Sequence, residues 1–422
     1  MTDPSGHITK RFDLNVGKRC NERCSFCYYL DEIESGNTAD LSTSEIKDIL
    51  KLGRRWGKTR VDFTGGEPSI RRDLPELLDF AREIGYETRC MITNGLVSAN
   101  RDRLANFQQA GLNDILVSLH ASDAATHDAL TQVPGSHAKV LATIENAREL
   151  GINLRINHVV SNLNYQRIGD LAALAADYQP DALNLLFFNP TRDAMHAERS
   201  LNLSYRDIIV PLLDALEKYS NRFASLNIRH LPFCLVRGFE SHVKTMWQLQ
   251  YERVEWDWCM DIIHKRGVVY MYAAAIYGML HMLRHPRFYR TDWNTRLHDS
   301  LQMARIRNDR VQPPACRDCR LRYICDGLPR EYVQHRGGDE VSPYLDGPLV
   351  LEPDHFIPLA EREDAAKGDD VVRFPDTPYF IFGMHSKRRL KGYFQKKKSG
   401  KRKKSRPVNF TGKEGRDTAR NE

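Results

Sequence analysis

Three cysteines crowd into eight residues near the start of the sequence, as Cys20-x-x-x-Cys24-x-x-Cys27. Thiolates at this spacing are soft metal ligands before they are core thiols. A structural zinc ion takes four protein ligands, and the segment offers no fourth. Three thiolates in one loop suit an iron–sulfur cube whose remaining iron keeps an open position for a small molecule. A zinc knuckle is the alternative. Further along, Cys316-x-x-Cys319-x5-Cys325 forms a second group, with Cys234 and Cys259 upstream. A zinc ribbon and a fully ligated iron–sulfur cluster both use such a set. Cys90 lies inside an apolar run and reads as a packed thiol.

The elements that must position the first triplet alternate regularly. Apolar runs at 12–16, 60–63, 88–93, 114–120, 154–160 and 182–188 read as short strands. Helical periodicity falls between them at 44–52, 74–84, 103–110, 138–150 and 168–178. Ser42 or Thr43 stands as N-cap of the first helix, with Glu45 in its first turn. Gly85, Gly111 and Gly151 follow three of the helices, where a left-handed residue is favoured. This pattern predicts an α/β fold of parallel strands with crossover helices, in an open sheet or a partial barrel. In either, ligand sites gather beyond the C-terminal strand ends. Segments 20–27, 65–68, 93–95, 118–120, 160–164 and 189–190 all fall at or just past such ends, so they are expected to converge on one rim.

Composition narrows the class. The chain has 422 residues and a net charge of +7, with 41% hydrophobic residues, enough for a substantial core. The charge is uneven. Residues 386–422 hold 15 Lys/Arg and 3 Asp/Glu, which leaves the rest at −5. A disordered basic tail is expected there, able to hold an anionic partner such as RNA. The longest apolar run, 268–280, spans 13 residues and is too short for a membrane span of ~20 residues. No signal peptide is expected at the N-terminus, so a cytoplasmic location and reduced thiols follow.

C-x-x-x-C-x-aromatic-C, with Phe26 as the aromatic, resembles the signature of the radical S-adenosylmethionine (radical SAM) superfamily. Other segments carry the resemblance over about the first 190 residues. Thr64-Gly65-Gly66-Glu67-Pro68 is similar to the family's glycine-rich element, which binds the methionyl amino group. Thr93-Asn94-Gly95, Ser118-Leu119-His120 and Asn157 match positions used around the cofactor. The resemblance implies a partial (β/α)6 barrel. It also implies a [4Fe–4S] cluster on Cys20, Cys24 and Cys27 that binds S-adenosylmethionine. Phe26, Gly65, Gly66, Glu67, Thr93, Asn94, Ser118, Arg155 and Asn157 are its implied cofactor-binding set. In the segment His127-Asp-Ala-Leu-Thr-Gln-Val-Pro-Gly135-Ser136, Thr131 stands where the family often has a carboxylate-binding arginine. Arg155 is the candidate replacement.

The downstream cysteines resemble a SPASM or twitch auxiliary domain. Five cysteines suffice for one auxiliary [4Fe–4S] cluster, with Cys234 expected to join Cys316, Cys319 and Cys325, and Cys259 as runner-up. The expected organisation is a barrel at 1–225, an auxiliary domain at 226–345, a Pro/Gly-rich extension at 346–385 and the tail at 386–422. The implied activity is reductive cleavage of S-adenosylmethionine to a 5′-deoxyadenosyl radical that abstracts hydrogen from a peptide or small molecule. Flavodoxin or ferredoxin is the expected type of electron donor. Nucleotide chemistry such as GTP cyclisation, and a non-catalytic zinc or nucleic-acid-binding protein, are the alternatives. His281 and His285, four apart, read as surface-helix residues, and Trp247, Trp256 and Trp258 as core.

Overall fold

The computed structural model describes residues 11–27, 29–34, 36, 40–55, 58–187, 203–245, 251–252, 310–352 and 355–357, with a few single positions between 269 and 280. Cys259, His281, His285, the three tryptophans, segment 189–190 and the tail lie outside them.

Six strands alternate with helices in the N-terminal half. They are β1 (Arg11–Asn15), β2 (Arg60–Thr64), β3 (Thr88–Thr93), β4 (Asp114–Ser118), β5 (Asn153–Val160) and β6 (Ala182–Phe187). The helices are α1 (Leu30–Glu34), α2 (Thr43–Arg55), α3 (Leu74–Glu83), α4 (Arg101–Gln109), α5 (Ala124–Thr131), α6 (Ser136–Glu149) and α7 (Ile168–Asp177), followed by α8 (Tyr205–Tyr219). All six strands pair in parallel with their sequence neighbours, as the alternation implied, in the curled α/β half-barrel that the resemblance implied. The sheet continues past β6 through β7 (Leu226–Arg229) and β8 (Val243–Lys244), while β9 (Tyr251–Glu252) joins the β1 edge. Ser42 opens α2 with a capping box. Its hydroxyl accepts from Glu45 N at 3.3 Å, and Glu45 Oε2 accepts from Ser42 N at 3.0 Å. Gly85, Gly111 and Gly151 take positive φ at the expected helix ends.

Within each strand, residues alternate strictly between two environments. The convex face carries Phe12, Leu14, Val61, Phe63, Met91, Ile115, Val117, Leu154, Ile156, Leu183, Leu185 and Ile228, all buried. It packs on Leu74, Leu77, Leu78 and Ala81 of α3, Val140, Ile144 and Ala147 of α6, and Leu171, Ala175, Leu212 and Leu216 of α7 and α8. The concave face carries Arg11, Asp13 and Asn15, then Asp62, Asp114 and Ser118, then Arg155, Asn157, Asn184, Asn227 and Arg229, with Cys90, Ile92, Leu116, Val159 and Leu186 among them. Parallel sheets are ordinarily apolar on both faces, so this face needs internal pairing.

Asp62, Cys90 and Asp114 fall on one row of the register. Arg155 Nε donates to Asp114 at 2.9 Å, and Arg155 Nη2 reaches Asp62 at 3.6 Å and Cys90 Sγ at 3.0 Å. Arg11 pairs with Asp62 and lies 3.7 Å from Asp114. Two guanidinium groups and two carboxylates thus close the floor of the half-barrel.

A smaller unit follows, with antiparallel β10 (Arg310–Val311) and β11 (Leu328–Pro329), and α9 (Arg330–Arg336). It docks on α8 and on the segment after β7. The Tyr332 hydroxyl accepts from Tyr205 N at 3.0 Å, the Ser204 hydroxyl donates to Glu340 at 2.6 Å, and the Tyr344 hydroxyl donates to Glu240 at 2.5 Å. Among the described residues, no helix is long and apolar enough to cross a membrane.

Asp62→Ala leaves two buried guanidinium groups sharing one carboxylate, and a loss of about 3–5 kcal/mol is expected. The midpoint of anaerobic denaturant unfolding reads it. Asp79→Ala, which breaks only an exposed pair with Arg82, should stay within about 0.5 kcal/mol of the parent. Equal midpoints for the two variants would remove the structural role assigned to the floor.

Candidate active site

The cysteine loop leaves β1 at the C-terminal end of the sheet and is clamped from two sides. From one side, Arg23 N donates to Thr131 O at 3.2 Å and Ser25 N to Leu130 O at 2.9 Å, which fixes the loop to the end of α5. From the other, the glycine-rich turn after β2 receives its base. Gly66 N donates to Gly17 O at 2.7 Å and Glu67 N to Arg19 O at 2.8 Å. The approach leaves no room for side chains. A Cβ on Gly66 would meet Arg19 O at 2.0 Å, and one on Gly65, whose φ is +132°, would meet Gly17 O at 2.2 Å. The paired glycines are thus the seat of the cysteine loop.

Glu67 ties that turn to the end of β3. It is buried, and its carboxylate accepts from Ser69 N at 3.0 Å, Thr93 Oγ1 at 2.8 Å and Asn94 N at 2.8 Å. The sequence expectation of an acceptor for an ammonium group therefore meets a carboxylate already holding three protein donors. Asn94 extends the tie: its amide donates to Asn21 Oδ1 at 2.8 Å and points at Cys20 Sγ, 3.8 Å away. Phe26 meets His120 edge-on, with ring centroids 4.7 Å apart. Ser118 stands in register with Asn157 on β5.

The three thiols lie within electrostatic range of one another. Among the described residues, no three His, Cys, Asp or Glu side chains gather closely enough to hold a single metal ion. Amide N–H groups approach two of the sulfurs: Glu22 N reaches Cys20 Sγ and Tyr29 N reaches Cys27 Sγ, both at 3.4 Å. Burial pushes the Cys20 thiol up to about 12, with Glu67 and Glu22 adding to the rise, and pushes Cys24 well above its ordinary value. Burial also lifts Glu22 to about 7, and the Cys24 thiol donates to its carboxylate at 3.1 Å. Without a cation, this pocket keeps Cys20 and Cys24 protonated. Iron binding must displace those protons. Three sulfurs with amide contacts and no fourth sulfur in the loop are a donor set that fits an iron–sulfur cube with one iron open.

Arg155 and Asn157 share the concave face, but only Asn157 lies at rim level. Arg155 is drawn down to Asp114, Asp62 and Cys90, and its charge is matched there. Thr131 sits buried beneath the cysteine loop, its hydroxyl 2.7 Å from Ser136 Oγ. Asp128 caps α6 by accepting from Gly135 N at 2.6 Å, Ser136 Oγ at 2.9 Å and His137 N at 2.9 Å. Sequence reasoning passed over a set of buried histidines behind Phe26. His120 and His127 stack at 5.7 Å, and His158 Nδ1 lies 3.1 Å from Leu119 O. Burial holds all three below the ordinary histidine value, hence neutral. It also passed over Asn184 and Asn227, which stand in register beside Asn157. The signal was a lone asparagine inside the apolar run of β6 and the alternate polar residues of β7.

The second cysteine group comes together around Cys234. Cys316 and Cys325 each lie within electrostatic range of Cys234, as do Cys319 and Cys316 of each other. Tyr344 N approaches Cys319 Sγ at 3.4 Å. Backbone groups of Ser342 and of Gly327 and Phe233 hydrogen-bond to Cys234 and Cys325, respectively. Burial raises the Cys316 thiol to about 11.

Residues 14–175 match the radical SAM superfamily. The PqqA peptide cyclase of Rhodopseudomonas palustris is 35% identical over 191 residues, covering 44% of this chain and 50% of that protein. A probable GTP 3′,8-cyclase of Sulfolobus acidocaldarius is 30% identical over 191 residues, covering 45% of this chain and 59% of that protein. The chain thus spans about half the length of the curated relatives it matches. Among solved structures, Streptococcus suis SuiB bound to the precursor peptide SuiA aligns with a TM-score of 0.42 at 19% identity, over 53% of this chain and 48% of that one. Residues 14–175, which hold the cysteine triplet, thus match the superfamily whose signature its spacing resembled.

Proposed function

We propose that the chain is an enzyme that uses the Cys20–Cys24–Cys27 loop to hold a [4Fe–4S] cluster and S-adenosylmethionine. When bound, that pair supplies reductive cleavage of the sulfonium, releasing methionine and a 5′-deoxyadenosyl radical that abstracts hydrogen from substrate. The observation that carries the proposal is the seating of the loop. Glycine backbone, the Glu67 tie and the end of α5 fix three sulfurs at the strand-end rim, above a polar lumen. The protein's part is to hold the three sulfurs in place for the iron that displaces their protons, to present polar groups such as Asn94, Ser118 and Asn157 at the rim, and to keep water out.

A peptide is the substrate class best supported, since a relative at 35% identity is named as a peptide cyclase. GTP-cyclase relatives near 30% identity support nucleotide chemistry as the second reading. Cys234, Cys316, Cys319 and Cys325 are the proposed ligands of one auxiliary [4Fe–4S] cluster, supported by their mutual proximity and their backbone hydrogen bonds. The reading includes a one-electron donor of flavodoxin or ferredoxin type, a cytoplasmic location, and a basic tail that recruits an anionic partner.

Anaerobic preparation with iron and sulfide should yield roughly eight irons per chain. Cys24→Ala should bind about half of that and lose reductive cleavage of S-adenosylmethionine, read as 5′-deoxyadenosine formation. A variant that cleaves as well as the parent would sink the enzyme reading. At the second site, Cys234→Ala should release the auxiliary iron while Cys259→Ala keeps it; zinc in place of iron there would instead assign a zinc ribbon. Truncation after Ser386 should leave the iron content unchanged, and lost iron would contradict the separation of tail from body.

A further inference from the structure

Four arginines fall on the concave-face rows of the sheet: Arg11 on β1, Arg60 on β2, Arg155 on β5 and Arg229 on β7. Arg60 is exposed to solvent at the start of its strand. Arg11 and Arg155 are each matched by Asp62 and Asp114. Arg229 is not, among the described residues. Its Nε is buried without a hydrogen-bond partner, and among the described residues no carboxylate comes within ion-pair range of its guanidinium. Its register neighbours are Leu186 on β6 and Lys244 on β8, so the adjacent strand brings a second cation. Among the described residues, then, Arg11 and Arg155 share two carboxylates while Arg229, itself part-buried, faces none. A buried N–H donor without a partner costs free energy unless a ligand completes it.

The surroundings say which ligand. Two residues below Arg229, Asn227 begins a ladder of side-chain amides. Asn227 Nδ2 donates to Asn184 Oδ1 at 2.9 Å, and Asn184 Nδ2 donates to Asn157 Oδ1 at 2.8 Å. The ladder runs along one register row from β7 to β5 and meets Ser118 of β4. Arg229 therefore stands at the strand-end level, on the wall across the lumen from the cysteine loop. The chain is fixed just after it: His230 turns with φ +69°, its ring accepts from Arg310 of β10 at 2.7 Å, and its carbonyl accepts from the Tyr205 hydroxyl at 3.4 Å. A left-handed histidine held from two other elements is the kind of over-determined backbone found where a side chain must be aimed.

We propose that Arg229 is a substrate-anchoring residue that pairs with a carboxylate of a peptide, with the Asn157–Asn184–Asn227 ladder bordering the peptide's own amides. This rests on the radical SAM reading of the site and names its substrate class. One planar guanidinium fork fits one carboxylate in a bidentate pair. Side-chain amides both donate and accept, as peptide groups do. A nucleoside triphosphate carried with a divalent ion would call for carboxylate ligands to that ion, and among the described residues none pairs with Arg229.

The test uses the anaerobically reconstituted full-length protein and two synthetic hexapeptide pools. Both are N-acetylated and C-amidated so that no terminal charge remains; one carries a fixed glutamate and the other a glutamine. Equilibrium dialysis measures binding of each pool, and of GTP as a third probe. The glutamate pool should bind roughly tenfold or more tightly than the glutamine pool. That preference should vanish in Arg229→Gln and survive in part in Arg229→Lys, with iron content and circular dichroism as in the parent. Equal binding of the two pools by the parent overturns the proposal, and this comparison needs no variant to fold. A preference that survives Arg229→Gln, or a GTP affinity that Arg229→Gln abolishes while the pools are bound alike, also overturns it. Peptide-free cleavage of S-adenosylmethionine by the dithionite-reduced parent is read separately. Glutamate preference without cleavage supports the carboxylate anchor while sinking the enzyme reading, and cleavage without preference does the reverse.

Discussion

Polarity on the inside of a parallel sheet is the constraint from which the rest of the molecule follows. Helices cover one face of the half-barrel with a largely apolar layer. The other face carries many charged or amidic side chains, which cannot be left unmatched in a low dielectric. Near the strand starts the solution is internal, with Arg11 and Arg155 interlocked with Asp62 and Asp114. Higher up, the asparagines pair with one another and keep donors in reserve. At the rim the polar groups turn outward, to loops that hold sulfur. The gradient from matched charge at the floor to available donors at the rim makes the same sheet both stable and receptive.

Glu67 shows how the rim is kept in order. Its carboxylate gathers three donors from two separate loops, and burial makes that attachment strong because no water competes for it. Through Asn94 the same tie extends to the cysteine loop. A side chain that the sequence presents as a ligand acceptor works here as a bolt. Arg155 is a parallel case: a lone strand arginine in the sequence becomes one member of a matched set in the fold.

Much of the architecture was legible because helix and strand periodicities differ. Each of the six strands fell within a residue or two of its expected place, and so did the ends of the helices that close on glycine. What escaped was short or self-contradictory. α5 offers only Leu130 as a large apolar residue, and α8 contains Pro211, which reads as a break. β7 has only four residues. The convergence of the cysteine, glycine and asparagine segments was visible as a rule about strand ends. The partners of their side chains were not, because Glu67 and Thr93, or Arg155 and Asp62, are brought together only by strand register. Alternation within the strands held a further signal, since polar residues recur at second positions in β1, β2, β5 and β7. Reading them as apolar runs hid the lumen.

The clamping of the cysteine loop also has a temporal meaning. Its sulfurs belong to residues 20–27, but its seat is built from Gly65, Gly66 and Asn94, and from Leu130 and Thr131 of α5. During synthesis the three cysteines emerge about a hundred residues before the last part of that seat exists. Until then they are loose, oxidisable thiols on an unfinished sheet. On the proposed reading, stable iron insertion is therefore an event of the late nascent chain or of the released protein, and oxidation has the intervening interval in which to act.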